Sequence, residues 1–274
     1  MDAHVSALEQ RGFAWVREAL PSAAEALDRT VELIAARCAL DETETPRVIG
    51  DFIVPPPEGS TTRDFQTLHF DFGVPLEPEA PRDLARYTAL HVPRGTQPVA
   101  TTRLVPIHAL LSQRDWPPRH TLVQRFISYG QTHGTWEGEI GYVEGSLARI
   151  VEAAAGLPLL PSVKSEPEFL CGMEFDSLRA EAAFFERHAV PLEGVETEIA
   201  LNTGELLIFD NLSLAHGRRG TRQPGELCQW VFGDRSLDVA TQRAARERIL
   251  QAFDTEPTLS ARQPRPDSRT TTHP

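Results

Sequence analysis

The chain has 274 residues, of which 41% are hydrophobic and 24% charged, and it carries a formal net charge of −12 at pH 7. That length and apolar content allow a large core without disulfide staples. The acidic balance, with basic residues scattered among acids, speaks against nucleic acid or an anionic membrane as partner, because phosphate contact needs clustered Lys and Arg.

Residues 11–16 are predicted as a first strand. A helix then starts at Ser22, where Ser22 and Glu25 make a capping box. Leu27, Val31, Ile34 and Cys38 follow at spacings of four, three and four, which is one helical face. Residues 48–54 read as a strand stopped by Pro55, Pro56 and Pro57. Residues 67–74 read as another strand, and 87–92 and 101–105 as two more. A strand is predicted at 122–129, followed by a polar, glycine-rich loop at 130–138 placed to act as a lid. Residues 146–155 read as a short helix ended by Gly156. A further helix is predicted at 176–189, with Asp176 as N-cap and Leu178, Ala182 and Phe185 facing inward. Strands return at 198–201 and 206–209, separated by a turn at Asn202-Thr203-Gly204, and again at 227–232. A terminal helix is predicted at 238–253. Residues 255–274 are rich in Pro, Ser, Thr and Arg and read as a disordered tail behind a single domain at 1–254.

Many short strands and few helices predict a mainly β protein with peripheral helices, a two-sheet jelly roll in which strands remote in sequence face each other across one mouth. Cys38, Cys171 and Cys228 include no CxxC pair and read as reduced thiols of a cytoplasmic protein. The N-terminus has no signal-peptide pattern, and no apolar run approaches the roughly 20 residues of a membrane span.

The strand at 67–74 carries His69-Phe70-Asp71. Side chains alternate along a strand, so His69 and Asp71 project to one side and Phe70 to the other. A buried carboxylate and imidazole are costly without a compensating partner, and a divalent metal supplies one. His216 lies 145 residues beyond Asp71, after the buried-looking strand 204–210, and is expected from an opposing strand end. Gly217 is expected to leave backbone room near the metal. Two imidazoles and one carboxylate are the ligand set of a mononuclear non-haem Fe(II) site that keeps positions open for substrate and O2.

His69 and Asp71, then Gly204-Glu205-Leu206-Leu207-Ile208-Phe209-Asp210-Asn211, then His216-Gly217-Arg218, resemble in kind, order and spacing the motifs of Fe(II)/2-oxoglutarate-dependent oxygenases of the taurine dioxygenase and clavaminate synthase group. The likeness covers residues 60–235. It implies a double-stranded β-helix, iron held by His69, Asp71 and His216, and 2-oxoglutarate as cosubstrate with O2. It also implies hydroxylation, desaturation or ring closure at an unactivated C–H bond of a small molecule, such as an amino acid or natural-product intermediate. Halogenases of this superfamily carry Gly or Ala where this chain has Asp71, so the carboxylate favours oxygenation. In the family a threonine and an arginine hold the far carboxylate of 2-oxoglutarate. Thr101 or Thr102 matches the threonine. The arginine is expected 11–15 residues past the distal histidine, where this chain has Leu227, Cys228, Gln229, Trp230 and Val231. Three explanations stay open. Arg222 or Arg218 substitutes, with Arg219, Arg235, Arg103 and Arg125 as further candidates; Gln229 and a threonine give a weaker anchor; or the enzyme is an iron oxidase that does not use 2-oxoglutarate. A noncatalytic jelly-roll binding protein is the reading from another class. Glu137 and Glu139, beside Trp136, read as a solvated acidic face of the lid, with reception of an ammonium group of the substrate as the alternative. Oligomeric state is not legible.

Overall fold

Asp2 and Gly12 bracket a first helix that the sequence reading missed. In the computed structural model, which describes residues 2–53, 65–72, 85–93, 100–106, 143–146, 175, 177–187, 192–211, 213–221 and 227–238, α1 spans Ala3–Arg11. The Asp2 carboxylate accepts the N–H of His4 at 2.8 Å, and Gly12 turns the chain with φ of 77°. Only then does β1 (Phe13–Val16) begin. The second helix, α2 (Ala23–Cys38), starts as expected, with Ser22 Oγ accepting from the Glu25 N–H at 3.2 Å. It buries Ala26, Leu27, Thr30, Leu33 and Ile34. Cys38, expected inward, is exposed, because the helix ends there and Ala39 leaves it with φ of 53°.

The remaining elements are β2 (Glu44–Ile53), β3 (Phe65–Phe72), β4 (Ala85–His91), β5 (Thr101–Pro106), β6 (Val143–Ser146), α3 (Leu178–Arg187), β7 (Thr197–Ile199), β8 (Leu206–Asp210), β9 (Leu214–Arg219) and β10 (Cys228–Asp238). The described strands form two five-stranded sheets, ordered β1-β8-β4-β10-β2 and β6-β3-β9-β5-β7. Every pairing is antiparallel. Strands β2 to β5, and again β7 to β10, alternate between the two sheets. That alternation is the jelly-roll winding expected from the strand count.

Strand β8 shows why residues 206–209 are all apolar. Leu207 and Phe209 join Leu90, Leu104, Ile199 and Leu214 in a core between the sheets. Leu206 and Ile208 point the other way, into a second core with Val5, Leu8, Leu27, Tyr87 and Trp230, where α1 and α2 cover the first sheet. A strand buried on both faces reads as a continuous apolar run rather than an alternating one. The preceding turn is clamped by Glu205. Its carboxylate accepts Trp15 Nε1 at 2.9 Å, the Asn202 N–H at 2.9 Å and Asn202 Nδ2 at 3.0 Å.

Helix α3 departs from its predicted face. Glu181, Phe184 and Phe185 are buried, while Ala182 is exposed and Leu178 half-buried. Ser177 caps it, its Oγ accepting the Ala180 N–H at 3.1 Å; the expected cap, Asp176, lies outside the described residues. Ser146, predicted to open a helix, ends β6 instead. Outside the described residues lie the predicted strand at 122–129, the loop at 130–138, residues 147–155, the terminal helix beyond 238, the tail at 255–274, and Cys171. Cys228 is buried, which pushes its thiol pKa up to about 12 and leaves it inert. No helix among the described residues is long and apolar enough to cross a membrane.

Candidate metal centre

His69, Asp71 and His216 come together on one side of the second sheet. Their ligand atoms all lie within 4.8 Å of one another. The residues are 2%, 4% and 7% exposed. Asp71 sits between the imidazoles: His69 Nε2 is 3.8 Å from Oδ1, and His216 Nε2 is 3.4 Å from Oδ2. Two donors at right angles around a metal with bonds near 2.1 Å lie ~3 Å apart, so a small contraction closes the set around one ion. Phe70 points to the opposite side, as alternation requires, and is fully buried there.

The delivery of His216 differs from expectation. It stands in the middle of β9, not at a strand end, and β9 is the hydrogen-bonded neighbour of β3 in the same sheet, with His69 directly opposite His216. Adjacency within one sheet, not facing across a mouth, closes the gap of 145 residues. The sequence reading missed β9 because Gly217, Arg218 and Arg219 break its apolar pattern.

A bulge in β3 sets the ring of His69. Gln66 pairs with Arg218 and His69 with His216, so three steps on β3 match two on β9. The bulge takes the backbone of Thr67 and Leu68 out of the regular ladder, and both groups find other partners. The Thr67 carbonyl lies 2.8 Å from His69 Nδ1, and since a carbonyl only accepts, Nδ1 carries the proton and Nε2 keeps its lone pair for a metal. The Leu68 N–H donates to Glu181 Oε1 at 2.7 Å. Gly217 also acquires its reason here. A Cβ at that position would stand 2.8 Å from the Gln66 carbonyl oxygen and 3.2 Å from that of Thr67, so the glycine makes room for the bulged strand rather than for the metal. Gly217→Ala is expected to push β3 from β9, costing about 1–3 kcal/mol and weakening metal binding; urea unfolding and Co(II) titration check both, and a fully wild-type variant contradicts this role.

Contacts from the first sheet complete the centre. Thr88 Oγ1 on β4 donates to Asp71 Oδ2 at 3.2 Å. The Phe209 ring on β8 packs against His216 with centroids 4.8 Å apart. A cavity of about 40 Å³ adjoins the ligands, lined by Gln66, Leu90, Thr102, Gly217 and Gln229 as well as the three ligands themselves. It is polar and has space for about two or three waters.

The predicted cosubstrate residues separate. Thr102 lines the cavity and is buried; Thr101, its neighbour on β5, does not line it. Arg218 is half-buried beside Thr102 and Gln66 in register, and its Nη1 donates to the Gly220 carbonyl. Arg222 and Arg125 lie outside the described residues, as do Trp136, Glu137 and Glu139; Arg235 lies on β10. Arg103 does not reach in. It faces away from the cavity and is held by Glu181 at 2.6 Å and by Glu196 at 2.9 and 2.8 Å. None of the described residues lining the cavity is an arginine, and Gln229 occupies the wall from the window where the family resemblance implies one.

The sequence matches no protein-family profile and no curated protein. Among solved structures the chain is similar to PvcB, an Fe, alpha-ketoglutarate dependent oxygenase from an isonitrile synthetic pathway, at 13% identity over 85% of this chain and 80% of that one, with a TM-score of 0.41. It is similar to a taurine dioxygenase from Burkholderia xenovorans at 14% identity, over 88% of this chain and 85% of that one, with a TM-score of 0.36. It is also similar to the Kdo hydroxylase KdoO, a non-heme Fe(II) alphaketoglutarate dependent dioxygenase, at 13% identity, over 85% and 69% of the two chains, with a TM-score of 0.29. With every TM-score below 0.5 these are likenesses only, and the jelly-roll assignment stands on this chain's own strand order.

Proposed function

We propose that the protein is a non-haem Fe(II) oxygenase that uses 2-oxoglutarate and O2 to hydroxylate, desaturate or cyclise a small molecule, an amino acid or natural-product intermediate, at an unactivated C–H bond. The observation that carries this reading is the buried set of His69, Asp71 and His216, whose ligand atoms lie within 4.8 Å of one another. The donor chemistry fits ferrous iron: two neutral imidazoles and one carboxylate hold one face and leave the other open. Iron bound there supplies O2 activation, coupled to decarboxylation of 2-oxoglutarate to succinate. The protein's own part is positioning and exclusion of water. Thr67 fixes the tautomer of His69, Thr88 holds one oxygen of Asp71, and Leu90 and Phe209 give the site an apolar side.

For 2-oxoglutarate the fit is less complete. Thr102, Gln66 and Gln229 offer hydrogen bonds to a carboxylate, but none supplies the charge and two-point geometry of a guanidinium. Arg218 and Arg222 remain the basic groups assigned to it. The neutral wall at Gln229 is the specific observation in favour of a second reading, an iron oxidase that takes its electrons from the substrate alone.

Anaerobic addition of Fe(II) and then 2-oxoglutarate separates these readings. A weak visible charge-transfer band that appears only with the keto acid is expected, together with succinate release under air. Iron binding and O2 uptake without that band would support the oxidase. Iron binding with no O2 uptake under any substrate would leave a noncatalytic binding protein.

A further inference from the structure

Asn211 follows the last residue of β8 and is fully buried. Its carboxamide is spent on the backbone of Asp71 and of Ala85. Oδ1 accepts the Asp71 N–H at 2.9 Å, while Nδ2 donates to the Asp71 carbonyl and, at 2.7 Å, to the Ala85 carbonyl. The backbone N–H of Asn211 donates to the Arg86 carbonyl at 2.7 Å. The pairing of β9 with β3 runs no further than His69 opposite His216. At Asp71 the side chain of Asn211 therefore does what the next residue of a strand would do, offering one acceptor and one donor to the backbone of the same residue. It also ties that residue to the start of β4, whose Thr88 reaches the Asp71 carboxylate at 3.2 Å. Backbone and carboxylate of one ligand are thus located by β4 and by the turn between β8 and β9.

We infer that Asn211 is a positioning residue of the metal centre: by gripping both the N–H and the C=O of Asp71, it holds the carboxylate at the height in the strand where it meets the imidazoles of His69 and His216. This inference rests on the metal reading above. Aspartate would put a negative oxygen against two carbonyls, and leucine would leave all three backbone groups without this partner, so an amide is the side chain that satisfies the site. Partners one step removed from a metal commonly change its affinity by about 10- to 100-fold when lost, and Asn211 is expected to fall in that range although it touches no ligand atom.

The test is a titration of the full-length chain with Co(II) alone, without oxygen, read by its visible d–d absorption. The variants are Asn211→Ala, Asn211→Ser and, as a control for general loss of stability, Leu33→Ala in the core beneath α2. All are measured where circular dichroism shows the chain folded. Asn211→Ala is expected to weaken Co(II) binding about 10- to 100-fold and to change the band pattern. Asn211→Ser, which retains one donor and one acceptor, is expected to recover part of both. Leu33→Ala is expected to lose thermal stability and keep wild-type affinity and bands. Wild-type affinity and bands in Asn211→Ala overturn the inference, and so does an equal loss in Leu33→Ala. If Asn211→Ala does not fold, wild-type behaviour of Asn211→Ser overturns it. A wild-type chain that binds no Co(II) removes the metal reading itself, whereas equal affinities in wild type and variant remove only the role of Asn211.

Discussion

Asp71→Ala and His69→Ala are each expected to abolish turnover, and added iron is not expected to restore it. Each substitution removes one of three donors from a buried site, so the loss of metal affinity should exceed the 10- to 100-fold effect typical of residues one step removed. Asp71 carries the larger electrostatic share, because it is the anion between the two imidazoles, 3.8 Å from His69 Nε2 and 3.4 Å from His216 Nε2. Without it a dication would face two neutral rings in a site that is 2% to 7% exposed. Co(II) titration reads the loss directly, and succinate release reads its consequence. Normal activity in either variant would end the assignment of this centre.

Arg103→Ala is expected to lower stability by about 3–5 kcal/mol, a large part of the roughly 5–15 kcal/mol available to a folded domain. Arg103 and Glu181 are 2% and 0% exposed, and the guanidinium also grips Glu196 through two bonds. Removing the cation strands Glu181, which cannot move away because its other oxygen holds the Leu68 N–H in the β3 bulge. The damage should therefore reach His69 as well. The pH dependence has a definite sign. Burial already pushes the Glu181 carboxyl above its usual range, with Arg103 opposing that only in part. Taking Arg103 away raises it further. A carboxyl raised on folding contributes its stability below its unfolded pKa and loses it as pH rises through the folded one. The deficit of Arg103→Ala should thus be smaller at pH 5 than at pH 8. Glu196 works in the opposite sense in the native chain. Burial raises its pKa, but the hydrogen bonds and charge of Arg103 outweigh that and hold it below the usual carboxylate range. Its contribution is present above that range and is lost on acidification. Urea unfolding of Arg103→Ala at pH 5 and pH 8 tests the first statement, and unfolding of the native chain as pH falls from 5 to 3 tests the second; a pH-independent deficit would show that Glu181 is not the stranded group.

Period-two alternation put His69 and Asp71 on one face, and this survived because only two strand steps separate them. The capping of α2 by Ser22 and the turn at Gly204 were equally legible, since each depends on residues a few positions apart. The apolar run at 206–209 marked β8 as a buried strand; that it is buried on both faces is seen only in the fold. By contrast, β9 was hidden by its own charged end, the face of α3 was misread because the buried Glu181 looked like a surface residue, and the cap at Asp2 was passed over as terminal sequence.

What the amino-acid order determined by itself was therefore the local part: strand, turn and cap identities, and the proposed ligand types in their order along the chain. The tertiary structure decided which groups meet. It made His216 the neighbour of His69 within one sheet, turned Arg103 outward to Glu181 and Glu196, brought Thr102 and Gln229 to the cavity wall, and set Gly217 against the bulge of β3. Strand register and the partners of buried charges depend on pairing between segments far apart in the chain. Nothing in the local pattern of either segment specifies that pairing, because each side chain is satisfied only by what the other strand or helix brings to it.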